Sequence, residues 1–434
     1  MSKKILVLIL IVVTFLSTSN TLSASNIYQG TLEIIYIDSK ENPRKLYRLR
    51  LSDGSVKKLI VEKNFTYEAE SFLKIQASPK NGSLKIEKVI ESSNKRKLTS
   101  SSSGEVVGNK KILVVMVTDS SFSESFIPYS QSEIEEMFFG STQSVIDYVT
   151  GASASKLNLT GALLGTLAIP NLCQSDGLFD HEAEDDVLAG VEQYIDDLHS
   201  YDFVSVVVPD LDECLTDAAG IGTLGRINYS SKGGNVRLGI NFVRAYNADE
   251  YQLSLLGTAI HEFGHNIGLS HSNANTCGEE IFNAAACPGL EYGDGHSAMG
   301  TSPSPAHFNM IQKQDLGWVD SDEILTISSD SLTENISLLP VSSTESGIKM
   351  IRVRRDDGRY YSVEYRRPIG YDGIKERSFG TLNFGGFLVY LDEETIGNRP
   401  IMIDSTFEDF RSDSQLITDQ GVSYYVNFNY TDLM

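Results

Sequence analysis

The feature that most constrains this chain of 434 residues is the stretch 261–271, which has the pattern H-E-x-x-H-x-x-G-x-x-H. Two histidines at positions i and i+4 lie on one face of a helix, so His261 and His265 can chelate one metal ion. Gly268 gives the backbone the freedom to end the helix and turn, which brings back His271 as a third ligand. Three neutral imidazoles leave a fourth position for water, which is typical of a catalytic zinc site.

The residues around these histidines predict a helix over residues 249–268, with Asp249 as a candidate N-cap, because apolar residues recur there at helical spacing. Glu262 lies beside the first ligand, where its carboxylate can reach a water at the metal without binding the metal. Zinc lowers the pKa of such a water from about 15.7 to about 7, so Glu262 is the candidate general base. The alternative is a helix whose histidines lie on the surface and bind no metal. The clustering of three of the seven histidines within these eleven residues argues against it.

Four further segments complete a resemblance to a known family. Residues 292–300 are rich in glycine and contain Met299, at the position where metzincins place a tight turn beneath the metal. Residues 307–309, 312–318 and 154–161 add weaker similarity. Together with the histidine motif, these segments resemble gametolysin-like (autolysin-type) metzincin peptidases, and the resemblance covers roughly residues 110–320.

This resemblance implies an α/β (α+β) metzincin-like catalytic domain with a mixed five-stranded sheet, long helices and an extended substrate cleft. It implies that His261, His265 and His271 bind one Zn²⁺, that Glu262 is the base and that Met299 forms the turn. The implied activity is that of a zinc metalloendopeptidase acting on extracellular or cell-wall proteins. A catalytically inert secreted binding or adhesion protein is the alternative, and the intact Glu262 argues against it.

The chain departs from some metzincins in two respects. No cysteine precedes Cys173, so latency through a prosegment cysteine on the zinc is not available. No tyrosine closely follows Met299, so the tyrosine ligand of astacin-like enzymes is not expected. His296 and His307 are further candidates to approach the metal, although histidines in loops are usually solvated.

The N-terminus reads as a signal peptide over residues 1–25, with Lys3 and Lys4 before an apolar run at 5–16 and small or polar residues after it. That run is shorter than the roughly 20 residues needed to span a bilayer, and no later segment is apolar enough to do so. We therefore expect a secreted protein.

Three regions follow the predicted signal. Residues 26–105 alternate as strands do, at 31–37, 45–51 and 56–61, and predict an N-terminal β-rich domain whose polar, basic end at 91–111 reads as a linker. Residues 110–320 predict one catalytic domain, with strands at 112–117, 156–160, 203–208 and 235–243 and a helix over 132–150. Residues 321–434 return to short strands, at 347–353 and 360–365, and predict a C-terminal β-rich module.

Charge is unevenly spread along the chain. The net charge is −22, but residues 1–111 carry 19 basic and 10 acidic side chains, or +9, which leaves −31 for the remainder. The acidic balance argues against nucleic acid as a partner, so a protein or peptide substrate is expected. The opposite charges would let residues 26 to about 105 dock on the rest as a removable or inhibitory prodomain. Without a cysteine, inhibition would be steric or use a carboxylate or carbonyl oxygen, and a permanent accessory module is the alternative.

The four cysteines predict two disulfides, because an even number in an exported chain usually pairs. Of the three possible pairings we prefer Cys277 with Cys287 and Cys173 with Cys214. A zinc site made of cysteines is the competing interpretation, but no C-x-x-C occurs.

An acidic cluster precedes the buried strand at 203–208. Calcium binding there is one interpretation, and a solvated acidic loop is the simpler one. The cluster consists of Asp180, Glu182, Glu184, Asp185 and Asp186.

Overall fold

The computed structural model describes residues 25–39, 43–62, 65–93, 106–121, 126–170, 172, 181–210, 218–245, 248–276, 289–300, 305–327, 336–355, 359–374, 386–392, 400–404 and 417–418. Residues 1–24 of the expected signal, most of the expected linker and all four cysteines lie outside these ranges. The disulfide pairings therefore stay predictions. Within the described ranges, no helix is long and apolar enough to cross a membrane.

The larger of two β-sheets joins the N-terminal residues to the region of the histidine motif. Its strands are β1 (Asn26–Ser39), β2 (Arg44–Leu51), β3 (Val56–Ile60), β4 (Phe72–Lys80), β5 (Ser83–Ser93), β6 (Gly108–Asp119), β7 (Leu157–Ile169), β8 (Phe203–Pro209), β9 (Ala218–Thr223), β10 (Ile227–Ser231) and β11 (Gly234–Ala245). The order across the sheet is β2-β3-β5-β4-β1-β9-β11-β8-β6-β7, and β10 pairs with β11.

The half of this sheet after residue 106 is mixed. Strands β7, β6, β8 and β11 are parallel neighbours, and β9 is antiparallel to β11. Every residue of β8 is buried, as expected for a continuous apolar run in a central parallel strand. The five-stranded sheet implied by the resemblance is thus one half of an eleven-stranded sheet, because β1 continues the sheet beyond β9.

The N-terminal strands lie where their alternation predicts them. Strand β1 pairs with β2 and β4, and β2 pairs with β3 across the turn at Asp53 and Gly54. Gly54 has a φ of 84°, and the Asp53 carboxylate accepts a hydrogen bond from the Ser55 amide at 2.9 Å. Turn chemistry and alternation therefore sufficed to locate this hairpin.

Five α-helices accompany the sheets in the described part of the chain: α1 (Gln131–Phe139), α2 (Val145–Ala152), α3 (His181–Val191), α4 (Ala248–Asn266) and α5 (Met310–Asp315). The prediction of one helix over 132–150 is wrong, because the helix is interrupted between α1 and α2. Gly140 is extended with a ψ of 159°, and a Cβ there would lie 2.4 Å from the Glu136 carbonyl oxygen. Ser144 then starts α2 by accepting a hydrogen bond from the Asp147 amide at 3.0 Å.

The long helix α4 lies against the sheet and buries its apolar stripe there. Phe263 packs edge-on against Phe203 of β8 with ring centroids 5.0 Å apart, and both are almost fully buried. Helices α1 and α2 contribute to the same apolar cluster. Burying one such aromatic side chain stabilises the fold by about 1.5–3 kcal/mol, so this layer fixes the position of α4 on the sheet.

Among the described residues, the smaller sheet has eight strands: β12 (Asn273–Thr276), β13 (Gly289–Leu290), β14 (Ile324–Ile327), β15 (Met350–Arg354), β16 (Tyr360–Arg366), β17 (Gly386–Asp392), β18 (Ile401–Asp404) and β19 (Ile417–Thr418). Its order is β13-β12-β18-β17-β16-β15-β14, with β19 beside β17. Strand β12 follows the histidine motif and pairs in parallel with β18. Residues after 321 thus share a sheet with β12 of the predicted catalytic domain. The limit between that domain and the C-terminal module at residues 320 and 321 stays a prediction.

A buried arginine ties the C-terminal strands to the loop before α5. Arg366 is fully buried, and its guanidinium donates to Glu364 at 2.6 Å and to Asp372 at 3.1 Å. Glu364 also accepts from the Met310 amide at 2.7 Å, and Asp372 accepts from the His307 amide at 2.9 Å. Both carboxylates therefore hold the α5 loop only while Arg366 neutralises them.

Replacing Arg366 with methionine is expected to lower the free energy of unfolding by about 3–5 kcal/mol, because two carboxylates would stay buried without their cation. Urea denaturation followed by circular dichroism measures this. Lys156→Met is the matched control, since its exposed ion pair with Asp320 is worth at most about 1 kcal/mol. Equal losses in the two variants would contradict the assignment of Arg366.

Candidate metal centre and catalytic site

The three motif histidines converge at the end of α4. His261 and His265 lie on one face of the helix with ring centroids 4.9 Å apart. The helix ends at Asn266, two residues before its predicted end, and Gly268 has the expected positive φ, at 98°. The chain then turns back and places the His271 ring 4.9 Å from His265 and 5.4 Å from His261.

Each imidazole is oriented through its Nδ1 atom. His261 Nδ1 lies 2.7 Å from the Ala298 carbonyl oxygen, and His265 Nδ1 lies 2.7 Å from that of Leu269. A carbonyl oxygen only accepts, so these two rings carry their hydrogen on Nδ1 and keep a lone pair on Nε2. His271 Nδ1 lies 3.0 Å from the Glu291 carboxylate. Such partners behind the rings are typical of histidines that bind metals.

The three Nε2 atoms point at one carboxylate, that of Asp38 on β1. Asp38 Oδ2 lies 3.0 Å from His261 and 3.2 Å from His265, and Oδ1 lies 2.9 Å from His271. All four side chains are buried, and together they form a group able to hold a metal ion. No motif in the sequence marks Asp38 as a site residue.

The donor set of this group fits zinc. Burial lowers the pKa of His265 to about 4, so its ring is neutral at pH 7 and its Nε2 lone pair faces a carboxylate oxygen. Two lone pairs at this distance repel unless a cation lies between them, and the buried His261 Nε2 has no hydrogen-bond partner among the described residues. Ligands that are each 2.0–2.1 Å from one tetrahedral zinc lie about 3.3 Å apart, close to the 3.0 and 3.2 Å from Asp38 Oδ2 to the Nε2 atoms of His261 and His265.

The charges of Asp38 and the histidines affect one another. Burial alone would raise the pKa of Asp38, but the three neighbouring histidines outweigh it and hold that pKa well below its usual range. Burial opposes protonation of His271, yet Asp38 and Glu291 raise its pKa. The pocket thus favours a negative carboxylate beside positive charge, which a divalent cation would supply.

Glu262 lies next to this group without belonging to it. Its side chain is fully buried, and neither carboxylate oxygen has a hydrogen-bond partner among the described residues. Burial, followed by the nearby Asp38 carboxylate, raises its pKa well above the usual value. Two glycines of β9 make room for it, since a Cβ on Gly220 or Gly222 would lie 2.2 or 2.8 Å from a Glu262 oxygen. A buried carboxylate without a protein partner is poised to bind a water or a reacting group.

Met299 packs beneath the helix between the first two histidines. It is fully buried, and a Cβ placed on Gly264 would lie 2.3 Å from its sulfur. Its carbonyl oxygen accepts a hydrogen bond from the Ser272 amide at 2.7 Å, and the preceding residue, Ala298, accepts from His261. The segment therefore contacts both ends of the histidine motif, at the place where the resemblance puts a turn.

Tyr292 is a second residue that the sequence analysis missed. Its hydroxyl donates to Asp38 Oδ1 at 2.6 Å, and its ring centroid lies 3.9 Å from that of His271. Tyr292 reaches the site from a position before Met299, whereas the tyrosine ligand of astacin-like enzymes would follow that methionine. Burial, together with Asp38, raises the pKa of Tyr292, so the phenol stays protonated and remains a donor.

The remaining candidates lie away from the metal group. His296 and His307 are both buried outside it, and His307 lies between Tyr148 and Tyr371. Burial lowers the pKa of His307 well below its usual value.

Calcium binding by the acidic cluster is not supported. Glu184 is buried, and its carboxylate is held by Arg48 and Tyr229, each at 3.0 Å. Asp185 and Asp186 are exposed on α3. Asp180 and the side chain of Glu182 lie outside the described residues.

Comparison with known proteins supports a metallopeptidase. Residues 108–313, somewhat less than half of the chain, match the family model Reprolysin_5, described as Metallo-peptidase family M12. The matched range contains the three histidines, Glu262 and Met299, but not Asp38. No curated protein matches the chain. The family match and the buried group of one aspartate and three histidines together support a hydrolytic zinc peptidase.

Proposed function

We propose that this protein is a secreted zinc-dependent endopeptidase of the metzincin type, with Glu262 as its general base. The observation that carries the proposal is the fully buried Glu262 carboxylate, which has no hydrogen-bond partner among the described residues, beside three converging histidine Nε2 atoms. A structural metal site has no use for such a carboxylate, since burying one without a partner destabilises the fold. The rival function, inert binding, leaves it unexplained.

His261, His265 and His271 would hold the zinc, with Met299 packed beneath them. Bound zinc supplies a Lewis acid that polarises the scissile carbonyl and makes water more acidic. Glu262 takes a proton from the attacking water and passes it to the nitrogen of the leaving amine, so one peptide bond breaks and one carboxyl and one amine form. The raised pKa of Glu262 suits a group that must both accept and return a proton.

The substrate class rests on the resemblance to gametolysin-like peptidases and on the predicted signal peptide. Both favour extracellular or cell-wall proteins as substrates. The acidic chain beyond residue 111 is consistent with a protein that acts outside the cell, where solubility depends on charge.

The proposal predicts one zinc per chain and zinc-dependent proteolysis. Elemental analysis of protein purified without chelators should find a zinc-to-chain ratio near one, and a casein assay should detect cleavage that o-phenanthroline abolishes and added zinc restores. Zinc-free protein, or zinc-loaded and folded protein that cleaves neither casein nor a peptide library before or after limited proteolysis within residues 91–111, would contradict the function.

Gly220→Ala tests whether the carboxylate position matters. A Cβ at this site would meet Glu262 Oε1 at 2.2 Å and displace it, and misplacing a catalytic group by 1 Å can lower the rate about 100-fold. We expect that loss in kcat with zinc retained. Gly151→Ala is the matched control, because nothing lies within 4 Å of its new Cβ. Unchanged turnover in Gly220→Ala would show that Glu262 is not positioned by β9.

A further inference from the structure

Strand β1 belongs to the N-terminal β-rich region and also lies along the metal site. Its first residues pair with β4, and residues 35–39 pair antiparallel with β9. Without β1, strand β9 would be the edge of the sheet formed by residues 108–245. A sheet edge is a common docking place for an extended peptide, which adds to it as one more strand. The N-terminal region therefore occupies that edge with its own chain.

The register between β1 and β9 places two side chains of β1 next to the histidines. Tyr36 pairs with Gly222 and Asp38 with Gly220, so both lie on the face that carries Glu262. The Tyr36 ring stacks on His265 with centroids 4.2 Å apart and an interplanar angle of 7°. The register then shifts after Asp38, as it does at β-bulges, which commonly re-aim a side chain.

Asp38 fills the place that catalysis needs open. Its oxygens lie 2.9–3.2 Å from the three Nε2 atoms, and Tyr292 donates to it. Three histidines leave a zinc one further position, and hydrolysis requires a water there. A carboxylate in that position excludes the water that Glu262 would deprotonate.

The N-terminal region is docked by buried contacts as well as by strand pairing. Arg48 of β2 is almost fully buried and donates to Glu184 of α3 at 3.0 Å and to Glu33 of β1 at 3.2 Å. A second ion pair joins Glu70 to Arg237 of β11. These contacts connect the positively charged N-terminal part with the acidic remainder and hold β1 in register.

We propose that the N-terminal β-rich region, residues 26 to about 105, is an inhibitory prodomain that places Asp38 on the zinc as its fourth ligand and β1 on the edge of β9. The inference rests on the proposed function as a zinc peptidase. Its boundary agrees with the fold, because Val106 is already buried in the following core and its carbonyl oxygen accepts from Trp318 at 3.2 Å. Activation then requires Asp38 to leave the zinc, which withdrawal of β1 would accomplish, and cleavage within 91–111 would permit that withdrawal.

The first test compares full-length zinc-loaded wild type with Asp38→Ala and Asp38→Asn. Both variants should hydrolyse a quenched peptide about tenfold faster or more, since a ligand tethered at roughly millimolar effective concentration blocks the site to that extent when its own dissociation constant is about tenfold lower. Asp53→Ala is the matched control, because this aspartate lies in the β2–β3 turn of the same region and should leave the rate unchanged. Circular dichroism and metal content verify folding, and the asparagine variant preserves the side-chain shape should alanine disturb β1.

The second test reads the ligand directly, without turnover. Co²⁺-substituted wild type and Asp38→Asn should differ in their visible absorption, and a small hydroxamate should perturb the variant at a lower concentration than wild type. Identical spectra, hydroxamate affinities and rates would overturn the proposal and leave a permanent accessory module. Spectra that differ while no form cleaves any peptide would instead refute the peptidase function and keep Asp38 as a ligand.

Discussion

Glu262→Gln is expected to lower kcat by about 10²–10⁴-fold, the contribution that general acid–base catalysis typically makes, while one zinc per chain remains bound. The amide keeps the shape of the carboxylate between Gly220 and Gly222 but cannot accept the proton of water. Glu262→Ala should abolish hydrolysis as well, again with the metal retained, because Glu262 lies outside the group of ligands.

The stability of these variants separates catalysis from folding. Burial raises the pKa of Glu262, so its charged form is penalised in the folded protein, and removing the charge should not lower the urea midpoint. Steady-state kinetics, zinc analysis and urea denaturation on the same preparation measure all three quantities. Near-normal turnover in Glu262→Gln would refute its role as base.

His265→Ala is expected to lose zinc and activity together. His265 is fully buried, and its Nδ1 is fixed by the Leu269 carbonyl oxygen, so its Nε2 is held towards the metal position before zinc arrives. Loss of an outer partner of a ligand weakens zinc binding by about 10–100-fold, and loss of the ligand itself should exceed that. Chelator competition measures the affinity.

The control for this variant is His199→Ala, since His199 is an exposed histidine next to β8 and far from the motif in sequence. It should bind zinc and cleave peptide as wild type does. His261→Ala should behave like His265→Ala. A His265→Ala protein that keeps stoichiometric zinc after dialysis against a weak chelator would contradict the ligand assignment.

The local part of the site could be predicted from the sequence because its geometry follows from helical spacing. His261, His265 and Glu262 lie within two turns of one helix, and the positive φ of Gly268 brings His271 back. The carbonyl oxygens that accept from the Nδ1 atoms belong to Leu269, within the motif, and to Ala298, next to Met299. The resemblance to metzincins already indicates Met299. No long-range pairing is needed to derive this arrangement.

The long-range part could not be predicted in this way. Asp38 is 227 residues from His265 in sequence, and its place depends on the register between β1 and β9. A slip of one residue would turn Asp38 to the opposite face of the sheet. One signal in the sequence could have indicated Asp38. The alternating pattern of β1 continues to this carboxylate at the end of the strand, and a prodomain without cysteine needs another group, such as a carboxylate, to bind the zinc.

Two smaller errors have different causes. A continuous helical pattern over 132–150 concealed the break at Gly140. Hydrophobic periodicity does not show that a Cβ at this position would collide with the Glu136 carbonyl oxygen. Glu184 looked like part of a solvated acidic loop, yet its partner Arg48 is 136 residues away in sequence. The break at Gly140 is local, since Glu136 is four residues earlier in the chain, whereas Glu184 is held by a tertiary contact.

The pairing of β9 has a consequence for how the molecule exchanges hydrogen with solvent. Strand β9 is in register with β11 over three residue pairs, 241–243, but with β1 over five. Its small residues, Ala218, Gly220 and Gly222 among them, add little side-chain packing of their own. Amide protons along β9 should therefore exchange slowly while β1 is in place and much faster once it leaves. Deuterium uptake in this single strand would then report, residue by residue, how far the N-terminal strand has been withdrawn.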